Sequence, residues 1–159
     1  MRQDRPVENV WDYPRPPSIE LSDEQIVIAV DGRVIAETSS SFRVCETSHP
    51  PTYYLPLRAF ADDVLWPVPG TTVCEWKGAA SYFDVVTENR TIPAGAWTYP
   101  EPSPRFKDLV GHVAIYPGKV DRCTIDGEVV QAQAGDFYGG WITSRVTGPF
   151  KGAPGTLGW

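Results

Sequence analysis

Long apolar runs are missing from this chain of 159 residues: nothing approaches the ~20 consecutive apolar positions that a membrane-crossing helix requires. The opening MRQDRPVENV lacks the apolar stretch of a secretory leader. No membrane partner is therefore expected, and a cytoplasmic location is. An excess of positive charge is missing too, since 14 Lys and Arg face 20 Asp and Glu for a net charge of -6. Neutralising phosphates takes clustered Lys and Arg, so nucleic acid is not an expected partner.

Cysteine is sparse, and Cys45, Cys74 and Cys123 form no C-x-x-C pair and have no histidine at zinc-finger spacing. In a reducing compartment they read as buried thiols that behave as small apolar side chains, and no metal is expected. Glycine-rich phosphate loops, closely spaced magnesium-binding aspartates, a G-x-S-x-G elbow and nicotinamide or flavin fingerprints are all absent. No cofactor is expected, and phosphoryl transfer or redox work fits the inventory poorly. Room for long helices is short as well, because 16 Pro and 14 Gly punctuate the chain.

What is present is strand grammar. QIVIAV, Asp31-Gly32 and RVIAETS form two β-branched runs around the dipeptide that two-residue hairpin turns favour. VDRCTI, Asp126-Gly127 and EVVQAQ repeat the pattern. SFRVCET, TYYLP, TTVCEWK, SYFDVV and HVAIYP read as further strands between Pro, Gly and Ser clusters. Short helices are expected over Leu57 to Leu65 and Pro104 to Val110, with Pro104 in a first helical turn. The fold class is mainly β, a single antiparallel domain with one or two short helices. Residues 1–24 form an N-terminal arm, 25–134 the β domain and 135–159 a C-terminal arm on the same domain. The arms carry Trp11, Tyr13, Phe137, Tyr138, Trp141, Phe150 and Trp159. Leaving such rings in water forgoes roughly 1.5–3 kcal/mol of burial each, so both arms are expected to be ordered.

ETSHPPTYYLP, CEWKGAASYFDV, AGAWTYPEP and GHVAIYPGKVD, in this order and spacing, resemble the domain of unknown function 427 family (DUF427) over about residues 25 to 122. VWDYPRPP and FYGGWITSRVTGPFKGAPGTLGW resemble the longer members of that family, extending the likeness over nearly the whole chain. The resemblance implies a fold similar to the β-tent class, two antiparallel sheets meeting at an angle, as in methionine sulfoxide reductase B and the drug-binding domain of cereblon. Many β-tent proteins hold a zinc on paired C-x-x-C motifs, which this sequence does not have. A nucleotidyltransferase label sometimes given to the family finds no phosphate loop or aspartate pair here.

Residue chemistry places the candidate site. His49 stands before two prolines with Glu46 three residues earlier, and a carboxylate near an imidazole can fix its tautomer and raise its pKa for acid and base work. Lys77 sits beside Gly78, where a missing side chain would let a ligand approach its ammonium. Glu46, His49 and Lys77 are the candidate catalytic groups, expected to share one mouth although far apart in sequence; the carboxylate favours a protonated His49 and the lysine opposes it, so no net direction is expected for its pKa. Tyr53, Tyr54, Trp76, Ser81, Tyr82, Trp97 and Tyr99 are the candidate ligand-binding set, as flat rings and hydroxyls that line cavities. Two function classes follow: a small-molecule-binding or acid/base enzyme domain with a polar and aromatic pocket, or an interaction module using Trp-rich arms and a sheet edge. Assembly into a homo-oligomer is left open.

Overall fold

The computed structural model describes residues 5–74, 76–135, 138–156 and 158–159. Its strands are, in chain order, β1 (Glu8–Asn9), β2 (Ser18–Ser22), β3 (Ile26–Val30), β4 (Arg33–Thr38), β5 (Ser41–Cys45), β6 (Thr52–Pro56), β7 (Leu65–Cys74) and β8 (Gly78–Thr87). There follow β9 (Arg90–Thr98), β10 (His112–Ile115), β11 (Arg122–Ile125), β12 (Glu128–Val129), β13 (Gln131–Ala132), β14 (Trp141–Ile142) and β15 (Val146–Thr147). A seven-stranded sheet runs β2-β5-β6-β10-β9-β8-β7 and a four-stranded sheet runs β12-β11-β3-β4. Both are antiparallel and open at their edges, and the fold is mainly β.

Both Asp-Gly dipeptides close hairpins. Val30 pairs with Arg33 and Ile125 with Glu128, and all four turn residues take positive φ, 52° and 75° at Asp31-Gly32, 50° and 84° at Asp126-Gly127. That is the backbone a two-residue turn needs to match strand twist.

The seven-stranded sheet is covered on both faces, and the two-residue side-chain period sorts its residues between them. On one face Tyr53, Leu55, Ala96, Val113 and Ile115 pack against Ile26, Ile28, Val30 and Ile35 of the four-stranded sheet. Each fully buried Ile or Val there stabilises by about 1.5–3 kcal/mol. On the other face Tyr54, Trp97, Ala114 and Tyr116 join Phe106 and Leu109 in a second cluster. This second face carries the candidate site.

Both segments expected as short helices contain 3-10 helix, the first over fewer residues than expected. Leu57–Ala59 makes a single turn before Phe60 bridges Ala36 and Ala61 donates its N–H to the Ile35 carbonyl. Docking of Phe60 and Val64 into the core outweighs helical propensity there. Pro104–Leu109 is kinked at Phe106, whose φ and ψ of -109° and 21° are not helical. β9 is a strand that sequence pattern alone misses. Pro93 and Gly95 interrupt its alternation, Ala94 takes φ 47°, and the Asp84 carboxylate accepts the Ala94 N–H at 2.8 Å beside a register shift.

Described residues of both terminal segments make contacts with the body. Ser18–Ser22, within the segment expected as N-terminal arm, is the edge strand β2. β1 pairs in parallel with β15, and the Trp11 and Trp159 rings meet edge-on at 5.3 Å. Phe137 and the side chain of Cys74 lie outside the described residues. A buried ionic network ties the first arm down: Arg43, 2 % exposed, reaches Glu8 at 2.9 Å and Glu20 at 3.0 Å. Arg145 reaches the equally buried Glu24 at 2.9 Å. Tyr53 completes it by donating to Glu24 at 2.9 Å and accepting from Arg43 Nε at 3.1 Å.

Candidate functional site

The floor of the site is one row of residues across four strands. Register sets Tyr82 of β8 opposite Trp97 of β9, Trp97 opposite Ala114 of β10, and Ala114 opposite Tyr54 of β6. Paired residues point to the same face, so two tyrosines and an indole line up with a methyl between them. The small Ala114 leaves room for Trp97 Nε1 to donate to the Tyr54 hydroxyl at 3.2 Å, ring planes 86° apart. Tyr116 packs against Trp97 at 4.4 Å, and Tyr99 lies 6.3 Å from Tyr54. Burial, aided by its hydrogen bond with Tyr82, pushes the Tyr116 hydroxyl well above the usual phenol range, so it remains a neutral donor.

Loops supply the charged groups. Between β5 and β6 a turn forms in which the His49 N–H donates to the Glu46 carbonyl at 3.0 Å, with Ser48 at φ 70°. That turn brings Glu46 Oε2 to 4.0 Å from His49 Nε2. Lys77 sits in the turn joining β7 and β8, pinned by Ser103, whose hydroxyl donates to the Trp76 carbonyl at 2.5 Å and whose N–H donates to the Lys77 carbonyl at 2.9 Å. The reason for glycine at 78 is backbone rather than ligand: its φ is 108°, and a Cβ would come within 3.3 Å of the Glu101 carbonyl oxygen.

Glu46, His49 and Lys77 line a single cavity of about 340 Å³, together with Tyr54, Trp76, Tyr82, Trp97 and Tyr99. Two expected members are elsewhere. Tyr53 points to the opposite face, in the core with its ring 5.2 Å from Trp141. Ser81 precedes Tyr82 on the same strand and so faces away from the cavity that Tyr82 lines.

The rest of the lining comes from the C-terminal arm and from polar residues that carried no sequence signal. Gln133, Tyr138, Gly139 and Lys151 close one side, with Thr52 and Thr72 at other walls. Gly139 lies so close to the Trp97 indole that a Cβ would approach Cη2 at 2.2 Å. Gln133 latches the arm. Its Oε1 accepts the Gly140 N–H at 3.1 Å, and its Nε2 donates to the Lys151 carbonyl at 2.7 Å and meets His49 Nδ1 at 3.2 Å.

Those bonds settle the state of the imidazole. With the amide orientation set by Gly140 and Lys151, Gln133 can only donate to His49 Nδ1, so the ring proton resides on Nε2. Burial first, then the positive charges of Lys151, Lys77 and Arg15, lower the His49 pKa to about 4. Burial and the three cations thus set a direction that the opposing charges of Glu46, 4.0 Å away, and Lys77 leave open in the sequence. His49 is thus a neutral donor through Nε2–H, with its other nitrogen occupied.

Among the described residues no group of three or more His, Cys, Asp or Glu side chains gathers as a metal centre would need. None of their helices is long and apolar enough to cross a membrane. The fold and site therefore define a mainly β, antiparallel domain with an aromatic-walled cavity, closed in part by its own C-terminal arm. The chain belongs to the family described as a domain of unknown function (DUF427), whose profile matches residues 18–126. No curated protein matches it. The matched span contains Glu46, His49, Lys77 and the aromatic floor, while Gln133, Tyr138 and Lys151 lie beyond it.

Proposed function

We propose that this protein is a small-molecule-binding domain whose ligand occupies the cavity above the Tyr82, Trp97, Ala114, Tyr54 row. The observation that carries the reading is convergence: groups from the 46–54, 72–82, 97–116 and 133–151 stretches meet on one cavity of about 340 Å³. A concave site walled by rings, with a few directed polar groups, is the form that small-molecule sites take. Binding is favoured over acid and base catalysis because His49 has its Nδ1 engaged by Gln133 and a pKa of about 4, which leaves it a donor rather than a proton acceptor near neutrality. The reading needs no metal or cofactor, and cytoplasmic residence accords with the free, buried thiols of Cys45 and Cys123.

An interaction module built on the β7 edge has less support. Edge strand β7 contains Pro67 and Pro69, which cannot donate, and its register breaks between Val68 and Thr71 at Gly70. Such features blunt an edge against pairing with another chain.

Native mass spectrometry of freshly purified protein tests the proposal, with a thermal-shift screen of small planar compounds beside it. Retained mass that leaves on denaturation, or stabilisation by cavity-sized compounds, is the expected result. Protein that carries no compound and is stabilised by none would overturn it.

A further inference from the structure

We infer that the ligand of this cavity carries one carboxylate seated against the Lys77 ammonium, with a planar apolar body lying on the Trp97 indole. This inference rests on the small-molecule reading above and names the class of molecule.

The argument starts from an unpaired charge. Lys77 lines the cavity yet is only 9 % exposed, and its side chain makes no hydrogen bond or ion pair with any described residue. Its Nζ has only the rings of Tyr99 and Phe106, at 6.0 and 5.9 Å, the outer limit of a cation–π contact. An ammonium on a cavity wall with no counter-charge from the protein is open to a bound anion, and a charge-assisted hydrogen bond there is among the stronger ones. The missing partner is what a bound anion supplies.

The other charged groups at the cavity stand beside protein groups. Lys151 Nζ donates to the Trp159 carbonyl at 3.2 Å, and Glu46 faces His49 Nε2 at 4.0 Å. The depressed pKa of His49, set by burial and then by Lys151 and Lys77, reports the same positive field. One open ammonium with one carboxylate elsewhere on the wall suits a single negative charge. A phosphate dianion calls for an arginine fork or a helix N-terminus, and the described lining residues include neither. Against the floor, Trp97 with Tyr54 and Tyr116 offers faces and edges to a flat body.

The test uses the full chain and a matched series of probes, naphthoate, its neutral amide, naphthyl phosphate and naphthylmethylammonium, titrated by calorimetry. Naphthoate should bind about tenfold or more tightly than the amide, the range that a charge-assisted hydrogen bond provides. Lys77→Met should erase that preference, and Lys77→Arg should restore most of it. Equal binding of naphthoate and its amide to the unaltered protein would overturn the inference while leaving the small-molecule reading intact, and this comparison needs no variant to fold. Tightest binding of the phosphate or of the ammonium would overturn it in favour of a dianion site or of a cation cage around Glu46. Failure of every probe, with no compound retained in native spectra, would sink both readings together.

Discussion

Gln133 holds His49: its side-chain amide donates to Nδ1 at 3.2 Å across 84 residues of sequence. That bond sets which nitrogen of the imidazole faces the cavity, and the same amide fixes the C-terminal arm through Gly140 and Lys151. Closure of the cavity and the chemistry of its wall are therefore one structural event.

Stability should fall as His49 is forced to take up a proton. The unfolded imidazole titrates near 6.5 and the folded one at about 4, so between those values the unfolded chain binds more protons and loss of stability accompanies falling pH. Its contribution is complete above pH 6.5 and fades towards pH 4. At roughly 1.4 kcal/mol per unit of displacement, the whole effect is on the order of 3 kcal/mol. Denaturant titrations of the unaltered protein and of His49→Gln across this range should diverge in slope, and parallel curves would contradict the assignment.

Gly139→Ala should push the arm off the indole. A Cβ 2.2 Å from Trp97 Cη2 cannot be accommodated without displacing the ring or the backbone, and overpacking of this kind costs about 1–3 kcal/mol. Gly158→Ala, whose added carbon meets nothing within 4 Å, is the control. Urea midpoints and the Trp97 fluorescence environment should change in the first variant and hold in the second.

Removing the buried cation of the ionic network should cost more than trimming a neutral member. Arg43→Met takes away the guanidinium that Glu8 and Glu20 meet, and because those carboxylates are 28 % and 49 % exposed and Glu8 keeps Arg145 at 3.4 Å, the loss should stay at or below the about 3–5 kcal/mol of a fully buried pair. Tyr53→Phe deletes hydrogen bonds to Glu24 and Arg43, with an expected loss of about 1–3 kcal/mol. Burial works against ionisation of Glu8, yet hydrogen bonds from Arg43 and Tyr13 hold its pKa below the usual carboxylate value. Its contribution is thus present above the ordinary glutamate range and lost as pH falls through the lowered value. Equal losses in the two variants would argue against the network.

Cys45 and Cys123 should resist alkylation in the native protein. Burial pushes their thiols up to about 11 and about 12, leaving almost no thiolate near pH 8. Peptide mapping after iodoacetamide treatment should find both residues unmodified until denaturant is added.

Local chemistry was legible in the sequence because it acts over a few residues. The Asp-Gly hairpins, the strand character of SFRVC and TYYLP, and the turn that joins Glu46 to His49 depend on backbone preferences and a two-residue period. Strand β9 was hidden, since Pro93 and Gly95 break its alternation and only Asp84 on the neighbouring strand compensates.

Sequence by itself determined a mainly β chain, the aromatic supply of a site and the loops that bear Glu46, His49 and Lys77. Tertiary structure decided which ring faces where. Tyr53 and Tyr54 are adjacent and chemically alike, yet the pleat sends one to Arg43 and Glu24 in the core and the other to Trp97 in the cavity. Which tyrosine meets which face depends on register with β10 and β5, a property of neighbouring strands and not of the dipeptide. Lys151 joined the site in the same way, through an arm that packs on Trp97 and is latched by Gln133, which also holds His49 far away in the chain. Desolvation and the lysine charges decided the direction of the His49 shift, which the sequence left open, because both act through space and carry no mark in the local sequence.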